Sequence, residues 1–114
     1  MAVPLYQAKA EFLRTLGHPA RIRILELLSE RDHAVHELLE QIAIEPSNLS
    51  QQLAVLRRTA LVVSRRKDGE VVYSISVPEV RDFLLSARRI ITGLAAAQTE
   101  FESELTPVPS PSTR

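Results

Sequence analysis

A chain of 114 residues, 45% of them hydrophobic, has room for one domain with a modest core. Its 14 Lys and Arg offset 14 Asp and Glu, so the net charge of zero excludes a uniformly basic protein and leaves any nucleic-acid surface to local charge placement. The absence of cysteine excludes disulfides, thiolate catalysis and thiolate metal sites, and fits a cytoplasmic address.

No apolar run reaches the ~18 residues that a membrane span requires, and the start, Met1 to Tyr6, lacks the basic and apolar segments of a signal peptide. Leu5, Ala8, Phe12, Leu13 and Leu16 recur at helical spacing and stop at Gly17. His18-Pro19 opens a second helix, since proline suits the first helical position. Its Ile22, Ile24, Leu25, Leu27 and Leu28 cover more than one face, which predicts a central helix with neighbours on several sides. Asp32-His33-Ala34 reads as a break. A short third helix then turns Val35, Leu38, Leu39 and Ile42 inward.

Ala43-Ile44-Glu45 is a tight connection into a fourth helix, again opened by a proline, Pro46. Leu49, Leu53 and Leu56, with Val55 beside them, make its apolar stripe. The other side carries Ser47, Asn48, Ser50, Gln51 and Gln52, then Arg57 and Arg58. Such a face is either a solvated helix surface or a set of groups that bond base edges and neutralise phosphates. Two short helices joined by about three residues fit a helix-turn-helix.

From Leu61 the period changes. Two β-rich runs flank Asp68-Gly69, a pair that favours the two-residue turn with positive φ. That turn pairs Lys67 with Glu70, Arg66 with Val71, Arg65 with Val72, Ser64 with Tyr73 and Val62 with Ile75. Arg65, Arg66 and Lys67 then form a basic tip, readable as a charged, aggregation-resistant edge or as a grip on phosphates. Between Glu45 and Ser76, five bases meet only three acids, so a local basic surface exists on a neutral chain.

Pro78 starts a long last helix, whose stripe Val80, Phe83, Leu84, Ala87, Ile90, Ile91, Leu94, Ala97 and Phe101 runs to about Glu104. Its length, on the order of 40 Å, exceeds what a small domain needs to cover its own core. The excess predicts a two-fold dimer through the first and last helices, with Leu5, Phe12, Phe83, Ala87, Ile90, Ile91, Leu94, Ala97 and Phe101 at the interface. The Pro- and Ser-rich residues 105–114 are expected to form a disordered tail after a single domain over 1–104.

This order of elements resembles the winged helix-turn-helix regulators of the ArsR/SmtB family: mainly α, about five helices and one β-hairpin wing. The resemblance rests on His18-Pro-Ala-Arg-Ile-Arg-Ile-Leu-Glu-Leu-Leu28, on Glu37-Leu38 with Ser47 to Arg57, and on Leu61-Val62 with Arg65 to Ile75, and it spans about residues 5 to 100. The chain departs from the family pattern where Gln52 replaces a usual His, Ala60 a usual Gly, and Ala34 a frequent Ser or Thr cap. The resemblance implies a homodimer on an imperfect inverted repeat of double-stranded operator DNA, with half-sites ~34 Å apart. It places Ser47, Asn48, Ser50, Gln51 and Gln52 at base edges or nearby phosphates, and Arg57, Arg65, Arg66 and Lys67 on the backbone.

Many such proteins release DNA when a metal binds. The cysteine sites are absent here, and so is the Asp, His, His, Glu set of the last helix, which holds no histidine. His33, His36, Glu37 and Glu40 are the remaining candidates for nickel or zinc, against a reading as a solvated helix edge. A separate sensor protein or a small apolar effector is the alternative route to control. Nothing suggests an enzyme: no nucleophile–base pair, catalytic motif or phosphate loop is present.

Overall fold

The computed structural model of the protein describes residues 2–105. Elements follow in the order α1 (Leu5–Leu16), α2 (Pro19–Glu30), β1 (His33–Ala34), α3 (Val35–Gln41), α4 (Pro46–Arg58), β2 (Val62–Lys67), β3 (Glu70–Ile75) and α5 (Glu79–Leu105). They fall into two compact units divided between Arg81 and Asp82. Of the expected tail, Leu105 is instead the last residue of α5, and residues 106–114 lie outside those described.

The core of the first unit is built around α2, which buries Ala20, Ile24, Leu25, Leu27 and Leu28. Its start is held as the sequence suggests. Pro19 occupies the first turn, and His18 caps it by accepting the Ala20 N–H through Nδ1 at 3.2 Å. Against α2 lies α4, whose Leu49, Leu53 and Leu56 are essentially inaccessible to solvent, as is Leu38 of α3. Each such leucine contributes about 1.5–3 kcal/mol by leaving water. Val80, at the start of α5, closes this core, and Arg81 donates from Nε to the Ser29 carbonyl at 2.8 Å.

The hairpin adopts the expected register throughout, from Lys67 opposite Glu70 to Val62 opposite Ile75. Asp68 and Gly69 both take positive φ, 51° and 80°, as the tight turn demands. The stretch expected as a break differs. His33 and Ala34 pair antiparallel with Tyr73 and Val72, adding a third strand in the order β1-β3-β2. Two residues are too few to show alternation, and it is the open edge of β3 that makes them a strand.

Ala34 is also the N-cap of α3 and offers no side-chain acceptor. Glu37 supplies half of a capping box instead, its Oε1 accepting the Ala34 N–H at 2.8 Å. At the far end of α4, Ala60 takes φ of 64°, the left-handed conformation that explains why glycine is usual there. The Leu61 N–H reaches the Leu56 carbonyl and the Ala60 N–H the Arg57 carbonyl, each at 3.0 Å. This double bond pattern ends the helix and turns the chain into β2.

The second unit is the rest of α5. Ile90, Ile91, Leu94 and Phe101 are more than half exposed on it.

Candidate nucleic-acid interface

The buried leucine stripe fixes which side of α4 faces out. Ser47, Ser50 and Gln51 lie exposed on that side, and none makes a side-chain hydrogen bond among the described residues. Arg57 and Arg58 are exposed in the last turn, where positive charge also suits the helix dipole. Asn48 is half-buried at the edge of this face.

Gln52 is placed differently from the expectation that it meets base edges. It is 7% exposed, and both ends of its amide are engaged. Its Oε1 accepts from Arg21 Nε at 2.8 Å, and its Nε2 donates to Asn48 Oδ1 at 2.8 Å. Arg21 also donates to the Thr15 carbonyl at 3.1 Å, so the guanidinium ties α1, α2 and α4 together. The geometric cause is simple. At about 100° per residue, Gln52 lies about 60° from Leu49, on the border of the apolar stripe rather than opposite it.

Across the hairpin, the basic tip is only partly free. Arg65 bonds the Asp32 carboxylate at 3.0 Å and the Ser74 hydroxyl at 2.8 Å. Arg66 donates to the Gly69 carbonyl at 3.4 Å, within the turn. Lys67 is exposed. Burial alone would raise the Asp32 pKa, but hydrogen bonds from Ser74 and Arg65, with the charges of Arg65 and Lys67, outweigh it and hold the carboxyl below its ordinary range. A groove of ≈ 510 Å³ runs beneath, lined by Arg31, Asp32, His36, Glu37, Arg65, Lys67, Asp68 and Glu70 among others. Within it Arg31 pairs with Glu37, Arg65 with Asp32 and His36 with Glu70.

The four metal candidates do not converge. His33 is 3% exposed, and its Nδ1 sits 2.8 Å from the Arg31 carbonyl, which can only accept, so that nitrogen carries the proton. His36 turns to Glu70 at 2.9 Å. Glu37 is committed to the cap and to Arg31 at 3.4 Å; the Ala34 N–H chiefly lowers its pKa, against burial and with help from Arg31. Among the described residues, no three His, Asp or Glu side chains come together as metal donors.

The residues expected at a dimer interface are exposed to different degrees. Leu5, Ile90, Ile91, Leu94, Ala97 and Phe101 are exposed, Phe83 is near the border, and Phe12 and Ala87 are half-buried.

Comparison with known proteins matches residues 18–64 to the model of the bacterial regulatory proteins of the arsR family. The chain is 55% identical over 89 residues to the HTH-type transcriptional regulator Rv0081 of Mycobacterium tuberculosis, covering 77% of this chain and 78% of that one. The crystal structure of Rv0081 superposes with a TM-score of 0.78 at 49% identity, over 86% of this chain and 99% of that chain. A biofilm growth-associated repressor of Xylella fastidiosa is 40% identical over 67 residues, 59% of each chain. A homodimeric winged helix-turn-helix domain of Mycobacterium bovis, Mb0332, shares the fold at 21% identity, with a TM-score of 0.62 over 95% of this chain and 91% of that one.

Proposed function

This chain belongs to the arsR family of bacterial regulatory proteins and is a DNA-binding transcriptional regulator; from that premise we propose that it works as a homodimeric repressor on an inverted-repeat operator. The α4 helix enters the major groove, with Ser47, Asn48, Ser50 and Gln51 toward base edges. Arg57, Arg66 and Lys67 grip the flanking phosphates, joined by Arg65 when it exchanges the Asp32 carboxylate for a phosphate. One observation carries this reading. The outward Ser and Gln side chains of α4 are exposed without side-chain partners among the described residues, and they lie in the same unit as the basic hairpin tip.

Homodimerisation is supported by the exposed apolar side chains of α5 and of α1, where Leu5 is 70% exposed. Packing of these helices against their copies removes that surface from water. The Mycobacterium bovis domain is itself homodimeric, and the Xylella relative is named a repressor. No helix among the described residues is long and apolar enough to cross a membrane, in keeping with action in the cytoplasm.

The positions of the titratable side chains bear on the route of control. With His33 buried in the sheet and Glu37 capping α3, control by a partner protein or a small apolar ligand is the better supported route. Titration with Ni²⁺ and Zn²⁺ tests it, because binding tighter than ~10 μM would restore metal control.

A mobility-shift assay on the DNA upstream of the gene is the primary test. A shift at low salt supports the reading, and its absence overturns it. Lys67→Ala is expected to flatten the salt dependence of log K by about 0.9 at each phosphate lost, without changing sequence preference. Gln51→Ala is expected to relax preference at one base pair by about 1–3 kcal/mol. Sedimentation giving monomer mass at micromolar concentration would remove the dimer.

A further inference from the structure

Gln52 is the polar side chain that the DNA-reading surface does not absorb, and its surroundings are chemically one-sided. Arg21 has five N–H donors and no acceptor, so it can meet only the oxygen end of the Gln52 amide. A flipped amide would set donor against donor at a buried position, with the cost of an unsatisfied polar group. Arg21 is itself held by the Thr15 carbonyl, which fixes the direction from which it donates. The NH2 end of Gln52 is therefore forced toward Asn48. A donor arriving there requires the carbonyl end of Asn48, as the 2.8 Å bond to Oδ1 shows.

An exposed asparagine can rotate its amide by half a turn and offer a base either a donor or an acceptor. Asn48 has lost that freedom. Its oxygen is bound to Gln52, and its NH2 group makes no hydrogen bond among the described residues. It sits in the first turn of α4, two residues after Pro46 and one turn before Gln52, where a helix lying in the major groove meets bases.

We propose that Arg21 and Gln52 are positioning residues that hold Asn48 as a hydrogen-bond donor to the DNA, so that base preference at the pair it contacts is set from α2 through a buried amide. This rests on the reading of α4 as the DNA-reading helix. The base edge selected is one with acceptors at that position, such as guanine N7 and O6 or thymine O4, over the N4 amino group of cytosine.

The decisive variant is Gln52→Glu. One carboxylate oxygen still receives Arg21, but the other is now an acceptor facing Asn48. Asn48 then turns its NH2 inward and its oxygen toward the DNA. Selection of full-length protein on a randomised duplex library reads the result. Wild type should favour acceptor edges at one pair of each half-site, and Asn48→Ala should identify that pair by losing the preference. Gln52→Glu should shift that pair toward cytosine or adenine amino groups, by about fivefold or more in relative affinity, and leave the other pairs unchanged. On an Asn48→Ala background, Gln52→Glu should change nothing further in preference.

A uniform loss of affinity in Gln52→Glu, with preference intact at every pair, would show a merely structural role and overturn the proposal. So would an Asn48→Ala variant that keeps the full wild-type preference. If thermal melting shows that Gln52→Glu does not fold, Gln52→Met frees Asn48 to present either end. The same pair must then lose its discrimination, and retention of it would also overturn the proposal. A wild-type protein that selects no sequence at low salt would instead strike at the reading of α4 itself.

Discussion

The two regions expected to meet DNA are anchored in opposite ways. The α4 helix is fixed from below by Leu49, Leu53 and Leu56, at 0–2% exposure, and from the side by the Arg21–Gln52–Asn48 bonds. The hairpin is buried only at its base, where Val62 is 2% exposed, and its tip is held by side chains half open to water. The difference matches the two tasks proposed for them. Base edges must be met at a fixed register, which a packed helix supplies. Phosphates line the duplex at every step, so the side chains that grip them need reach rather than exact placement. The rigid region can specify, and the looser one can adapt.

The largest expected effect comes from loosening the rigid region. Leu53→Ala empties a site in contact with the centre of the core and should cost about 2–5 kcal/mol in urea unfolding. Val63→Ala, at an exposed position on the hairpin, should stay within about 0.5 kcal/mol. Equal losses at the two positions would mean that the hairpin is anchored as deeply as α4.

Much of this contrast was legible before the structure. The Asp68-Gly69 turn and the alternation around it set the hairpin register pair by pair, because a two-residue turn leaves no other pairing. The leucine spacing of α4 told its inner side from its outer one. Gln52 was only half legible: helix geometry puts it on the border of the apolar stripe, but the bond that engages its amide comes from Arg21, 31 positions earlier in the chain. No local pattern announces that pairing. The strand at His33 escaped for a related reason, since its partner Tyr73 is distant in sequence. The resemblance had flagged Ala60, Gln52 and Ala34 as departures, and all three proved to be places where the backbone or a buried amide needs an unusual solution.

Ala60 joins the two regions and offers the intermediate effect. Its φ of 64° places Cβ against the adjacent carbonyl, at a cost of about 1–2 kcal/mol for a residue other than glycine. Ala60→Gly removes that strain but adds about 0.4–1 kcal/mol of unfolded-chain entropy. The expected result is a net gain of up to about 1.6 kcal/mol, seen as a higher urea midpoint at constant m-value. A loss on this substitution would show that the left-handed turn between α4 and β2 is not what Ala60 strains to maintain.

The smallest effect concerns the clasp that ties the hairpin to the start of β1. Asp32 and Arg65 are each roughly half exposed, so solvent screens their attraction and an exposed pair of this kind contributes about 0.2–1 kcal/mol. The carboxyl has a folded-state pKa below its unfolded value, so the folded protein binds fewer protons there than the unfolded chain. Its stabilisation is therefore complete above the unfolded pKa, near ~3.9, and is lost as pH falls through the lower folded value. Asp32→Asn should destabilise by less than about 1 kcal/mol at pH 7, and the gap from wild type should close as the solution is acidified below the ordinary carboxylate range. A gap that persists in acid would locate the effect of Asp32 in packing or backbone geometry. A gap that closes would make this clasp electrostatic, the kind of hold that Arg65 can exchange for a phosphate while α4, fixed by its leucines, keeps its register.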